Sequence, residues 1–174
     1  MAVDADPSSP VMNCYVDLAY ADSYFALKFG AANWAEFDQP VKESLIVSAT
    51  RQLDVFEYGG MKVSKTQPLK WPRSNIMDSE GYTLPTIPLP HQLKDATCEL
   101  AFWYWTEDDR FFTDVDLKQV QSYEVGPLKV DQKNPSMAFP EYVLDLIESI
   151  GPGVVIDTGD VAGQGKAKSM NMWL

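Results

Sequence analysis

The chain has 174 residues, 45% of them apolar, with 12 prolines, 10 glycines and a formal net charge of −11. That length suits one domain with a real core and much irregular structure, while the acidic balance disfavours a free nucleic-acid binder, whose affinity comes from lysine and arginine displacing phosphate counterions. A lone histidine, His91, and two cysteines without metal spacing, Cys14 and Cys98, offer no catalytic, metal or cofactor constellation, so no enzyme is expected.

No apolar stretch approaches the ~20 residues of a membrane span, and the first residues lack the basic and apolar pattern of a signal peptide, which predicts a soluble protein in a reducing compartment. Residues 1–14 read as an extended arm, because Pro7, Ser8, Ser9 and Pro10 prevent regular structure. A first helix starts at Asp17, a good N-cap, and carries Leu18, Ala21, Tyr24 and Phe25 on one side before Gly30 closes it. A second runs from Pro40 to Tyr58 with Val41, Leu45, Ala49, Leu53 and Phe56 in one stripe, and Gly59-Gly60 ends it.

Between this helix and the next lies a long loop containing Pro68-Leu-Lys-Trp-Pro-Arg73. Proline holds the residue before it extended, so Trp71 must find its place by tertiary contact, which predicts an anchoring or docking role. Trp71, Tyr82 and the surrounding prolines predict a fixed, packed loop rather than disorder. Asp78-Ser-Glu-Gly81 resembles half a calcium loop but lacks the alternating ligands and the distal glutamate, so a turn is expected there.

Pro90 opens a third helix, with His91 in its first turn, on which Leu93, Ala96, Thr97, Leu100, Ala101 and Tyr104 line up while Lys94, Asp95 and Glu99 are expected to face outward. Its end, Phe102-Trp-Tyr-Trp105, is apolar all round and calls for several neighbours. Residues 120–125 and 128–133 predict a short β-hairpin turning at Gly126-Pro127. A fourth helix from Pro140 presents Val143, Leu146, Ile147 and Ile150 before Gly151 stops it. Residues 152–174 read as a glycine-rich tail ending in Met170, Met172, Trp173 and Leu174. The glycines favour a flexible spacer and the apolar end a sticky tip, with Lys166 and Lys168 able to pair with acids on a partner. The expected fold is therefore mainly α: a small bundle of about four helices over residues 15–151, with a long ordered loop, a hairpin and extended termini.

Charge is unevenly placed. Lys62, Lys65, Lys70 and Arg73 share a segment free of acids, whereas Glu107, Asp108, Asp109, Asp114 and Asp116 crowd another. Opposed patches on one chain suit head-to-tail association in a closed ring.

The ordered set Tyr15-Val16-Asp17, Ala21-Asp22-x-Tyr24-Phe25, Ala49-Thr50-Arg51-x-Leu53-Asp54, Leu69-x-Trp71-Pro72-Arg73, Asp78-x-x-Gly81, Ile87-Pro88 and Ala96-x-Cys98-Glu99-Leu100-Ala101 resembles the head-to-tail adaptor family of tailed bacteriophages. The likeness continues through Val125-Gly-Pro-Leu128 and Phe139-Pro140 and spans residues 15–150. Members of that family often carry the label of DnaT-like single-stranded-DNA-binding protein. The resemblance implies a non-catalytic virion protein assembled in the host bacterial cytoplasm and placed in the neck. There it would form a ring, usually dodecameric, under the portal protein, bind a tail or nozzle protein below, and let genomic DNA pass without specific binding. On this reading Lys70, Trp71 and Arg73 form a docking loop, and Lys166, Lys168, Met170, Met172, Trp173 and Leu174 bind the portal or a neighbouring copy. The competing reading takes the label literally, as a single-stranded-DNA binder that stacks bases on Trp71 and Tyr82 beside the basic loop. A nuclease built on the acidic patch would need a metal site that the sequence does not contain.

Overall fold

The computed structural model describes residues 2–106, 122–125, 128–131 and 139–157. Four α-helices dominate these residues: α1 (Leu18–Leu27), α2 (Gln39–Leu53), α3 (His91–Thr106) and α4 (Glu141–Glu148). Six short strands accompany them: β1 (Glu57–Tyr58), β2 (Met61–Lys62), β3 (Arg73–Ser74), β4 (Ser122–Val125), β5 (Leu128–Asp131) and β6 (Val155–Asp157). The strands form three separate antiparallel pairs, β1 with β6, β2 with β3 and β4 with β5. The expected mainly-α bundle is the observed one, and the expected hairpin is β4–β5, where Val125 opposes Leu128.

Helix α3 is the central element, packed against both α2 and α4. Its Leu93, Leu100 and Ala101 enter a larger core with Leu53, Phe56, Val143 and Ile147, while its Cys98 enters a smaller one with Val16, Phe25, Trp34 and Ile46. Helix α1 starts as expected, with the Asp17 carboxylate accepting the Tyr20 N–H at 2.7 Å, and it turns Ala21 and Phe25 inward. A 3-10 turn over Ala32–Glu36, without a sequence signal, then carries Trp34 onto Phe25, ring centroids 4.1 Å apart.

Three expected boundaries shift. Helix α2 ends at Leu53 rather than Tyr58, because Lys70 Nζ takes the carbonyls of Val55 and Phe56, at 3.1 and 2.8 Å, that further helical turns would have bonded. The chain then bends so that Phe56 and Tyr58 are both buried. The arm of residues 1–14 has no helix or strand where described, yet it is not a loose end. Asn13 and Asp4 exchange backbone and side-chain hydrogen bonds at 2.9 Å, and Met12 and Cys14 enter the two cores. The tail does not begin at Pro152 either, since Val154 is buried and Val155 pairs with Tyr58, which makes residues 152–157 part of the fold. Short apolar runs such as Val154-Val-Ile156 beside glycines give little local signal, and pairing with β1 decides their state.

The end of α4 meets the long loop at close quarters. A Cβ on Gly151 would lie 1.9 Å from the Met77 carbonyl oxygen, so the contact exists only because that residue has no side chain. Gly151→Ala is expected to lower the unfolding free energy by about 1–3 kcal/mol in chemical denaturation, through backbone displacement at an overpacked contact. A loss below ~0.5 kcal/mol would mean that the loop does not press on α4.

Candidate functional site

The long loop closes on the C-terminal end of α2 through one carboxylate. Asp54 Oδ1 accepts the Lys70 backbone N–H at 2.6 Å and also the hydroxyl of Tyr15, while the Tyr15 N–H donates to Thr50 Oγ1 at 3.2 Å. Thr50 in the last turn of α2 and Asp54 just past its end therefore grip Tyr15 at both ends and hold the loop beside it. Burial, then the Asp54 charge, pushes the Tyr15 phenol well above its ordinary pKa, so the hydroxyl stays a proton donor to Asp54.

Trp71 follows directly. It is 2% exposed, packed edge-to-face on Tyr58 with ring centroids 5.7 Å apart, and joined to Pro72 by a cis peptide bond. Lys70 Nζ reaches Glu57 at 2.7 Å besides the two carbonyls of the α2 end. Arg73 spreads its guanidinium over the carbonyls of Gly59, Lys70, Tyr58 and Gly60, so its fork holds the β1–β2 turn against the loop. Burial lowers its pKa somewhat and the nearby Glu57 charge opposes that.

The residues expected to form a docking loop thus dock on their own chain. Trp71 presents no ring face to solvent and offers no platform for a nucleic-acid base. Of the four cations in this segment only Lys62 and Lys65 extend into water, next to the exposed Met61, Val63 and, further along, Tyr82. Asp78 makes the expected turn, its carboxylate accepting the N–H groups of Glu80 and Tyr82. Lys166, Lys168, Met170, Met172, Trp173 and Leu174, and the acids of residues 107–116, lie outside the described residues.

A second polar feature escaped the sequence reading. Glu99, expected to face water, is 8% exposed, and its carboxylate takes Lys28 Nζ at 2.7 and 2.8 Å together with the Tyr24 hydroxyl. The Lys28 ammonium also sits 4.7 Å from the Phe102 ring centroid. The signal lay in its neighbours, since Cys98 and Leu100 flank Glu99 and an acid between two core residues needs a partner. This triad floors an open cleft of about 570 Å³ between α1, α3 and α4, whose other walls are Phe102, Tyr142, Asp145, Leu146 and Ser149.

Among the described residues no three His, Cys, Asp or Glu side chains group to hold a metal, and no helix is long and apolar enough to cross a membrane. Fold and site together define a small mainly-α protein whose charged loop is an internal clasp. Residues 1–154 match the model of the family described as "Putative DnaT-like ssDNA binding protein", and with most of its length matched the chain belongs to that family. No curated protein and no solved structure matches it.

Three measurements check the clasp and the core. Arg73→Lys keeps the charge but cannot span the carbonyls, so a loss of about 1–3 kcal/mol is expected in denaturant unfolding, with unchanged stability as the contrary result. Cys14 and Cys98 are free and buried, and burial pushes the Cys14 thiol from 9.0 up to about 12. Neither thiol is expected to react with a disulfide reagent at pH 8 until the chain is unfolded. The folded state keeps protons on Cys14 and on the buried Tyr15 and Tyr58 that the unfolded state releases. Stability should therefore hold below pH 9 and fall as pH rises from 9 through about 12.

Proposed function

We propose that this chain is a head-to-tail adaptor subunit of a tailed-phage virion, a non-catalytic protein that forms a ring under the portal, links capsid to tail and lines the DNA exit. The observation that supports this reading best is the fate of the basic loop. Its tryptophan and two of its four cations are spent inside the chain, which leaves little with which to grip a nucleic acid. The chain also exposes large apolar side chains. Leu27 and Phe29 are 92% and 100% exposed at the end of α1, and Met61, Val63 and Tyr82 stand out on the loop.

These two sets sit toward opposite ends of α2, whose 15 residues span about 22 Å. Lys42 near its start pairs with Asp22 of α1, and Lys70 of the loop binds beyond its end. Two different apolar surfaces on one subunit suit a heterologous contact, the kind that closes a ring. The net charge of −11 suits a channel wall, because like charge keeps a passing duplex from adhering. Lys166, Lys168, Met170, Met172, Trp173 and Leu174 would attach the subunit to the portal.

The family's description favours a second reading, single-stranded-DNA binding. On the described residues it would have to work through Tyr82, Lys62 and Lys65 rather than Trp71, whose replacement would only damage the core.

Electron microscopy of purified portal incubated with this protein is expected to show an added collar. Leu27→Ser with Phe29→Ser should abolish the collar while stability stays within ~0.5 kcal/mol, as for exposed positions. A bare portal with the unmodified protein would overturn the adaptor reading. Submicromolar binding to an oligonucleotide at physiological salt, lost by about 1–3 kcal/mol per stacked base in Tyr82→Ala, would put the second reading in its place.

A further inference from the structure

We propose that residues 166–174 of this chain seat in the chain's own cleft between α1, α3 and α4. The cleft's volume of about 570 Å³ lies within the ~300–1,000 Å³ of sites that enclose a small ligand or a few side chains. Its walls are aromatic and aliphatic at Tyr24, Phe102, Tyr142 and Leu146, and acidic at Glu99 and Asp145. Glu141, Asp145 and Glu148 recur along α4 at helical spacing and are all exposed, so the α4 rim is negative. On the α1 side, the residues flanking Lys28 are the two most exposed large apolar side chains of the described chain, Leu27 and Phe29.

Segment 166–174 has the complementary chemistry. Lys166 and Lys168 are the charged side chains of residues 161–174, and they precede Met170, Met172, Trp173 and Leu174. Unbranched methionines and an indole suit an irregular aromatic cleft, and the lysines match the acidic rim. The exposed Met61 and Val63 suit the segment less well, because Lys62 and Lys65 beside them would repel its lysines.

The chain can make this contact without strain. Ser149, in the cleft wall, is eight residues before Asp157, so the cleft lies within about 28 Å of the end of β6. The eight residues 158–165 that connect β6 to the segment reach up to about 28 Å, and Gly159, Gly163 and Gly165 are among them. A tether of that length sets a local concentration of about millimolar, so at micromolar protein the chain's own cleft outcompetes that of a second copy. The contact does not depend on the adaptor reading. If that reading holds, the same segment has to leave the cleft before it can bind the portal, which would keep free subunits from associating prematurely.

The test uses the full chain with the photo-cross-linker p-benzoylphenylalanine in place of Trp173. Irradiation at micromolar protein is expected to give a product of monomer mass, with the bond mapped by mass spectrometry to residues 24–29, 99–102 or 142–149. Cross-links elsewhere, cross-links of dimer mass, or none would overturn the proposal. Hydrogen exchange gives a second reading on the full chain carrying Trp173→Ala and Leu174→Ala, with circular dichroism to show the helices intact. Amides of residues 141–149 should exchange about fivefold faster or more than in the unmodified chain, and unchanged rates would count against the contact.

Discussion

The carboxylate of Asp54 is the point on which the loop half of this molecule depends. It lies just past the end of α2, receives Tyr15 from the amino-terminal arm, and takes the backbone of Lys70 from a loop that would otherwise have no reason to return to the helix. Once Lys70 is placed, its ammonium terminates α2 and Trp71 is delivered into the core against Tyr58. Arg73 then fastens the β1–β2 turn. Each step satisfies backbone groups that a bent, partly buried chain would leave unpaired, at a cost of about 1–3 kcal/mol apiece. The loop is held because Lys70 and Arg73 turn their charged groups onto backbone carbonyls of the same chain.

This arrangement bears on what the family relationship means physically. Tyr15, Thr50, Asp54, Trp71 and Arg73 are among the residues that carry the resemblance, and here they are parts of a clasp rather than of a binding surface. Asp22, another of them, accepts the Trp34 indole N–H at 2.8 Å and Lys42 at 3.0 Å. Glu99 is buried with Lys28. A shared pattern of this kind identifies a way of folding, and it leaves the outward-facing chemistry of each member to the residues between.

The smaller core follows the same logic with a different anchor. Glu99 on α3 is too buried to stand alone, and Lys28 and Tyr24 at the end of α1 satisfy it, which sets where α1 lies on α3. The cleft that results has aromatic walls because the Phe102 ring and Tyr24 lie against the ion pair. Breaking this pair would leave a buried charge and release α1, so the cleft and the fold are not independent.

Periodicity, capping and turn chemistry act over short range, so the four helices, the start of α1 at Asp17, the β4–β5 hairpin and the turn at Asp78 were legible in the residues themselves. The sequence also showed that Trp71 could not be helical and had to be placed by tertiary contact. What it could not contain was the direction of side chains whose fate depends on distant partners. Lys70 and Arg73 read as surface charge until the bent end of α2 supplies carbonyls, and Glu99 reads as solvent-facing until Lys28 reaches it. The end of α2 and the pairing of residues 155–157 with β1 were likewise decided only by tertiary structure. In each case a free backbone or charged group is worth more to the fold when paired across the chain than its local sequence preference can outweigh.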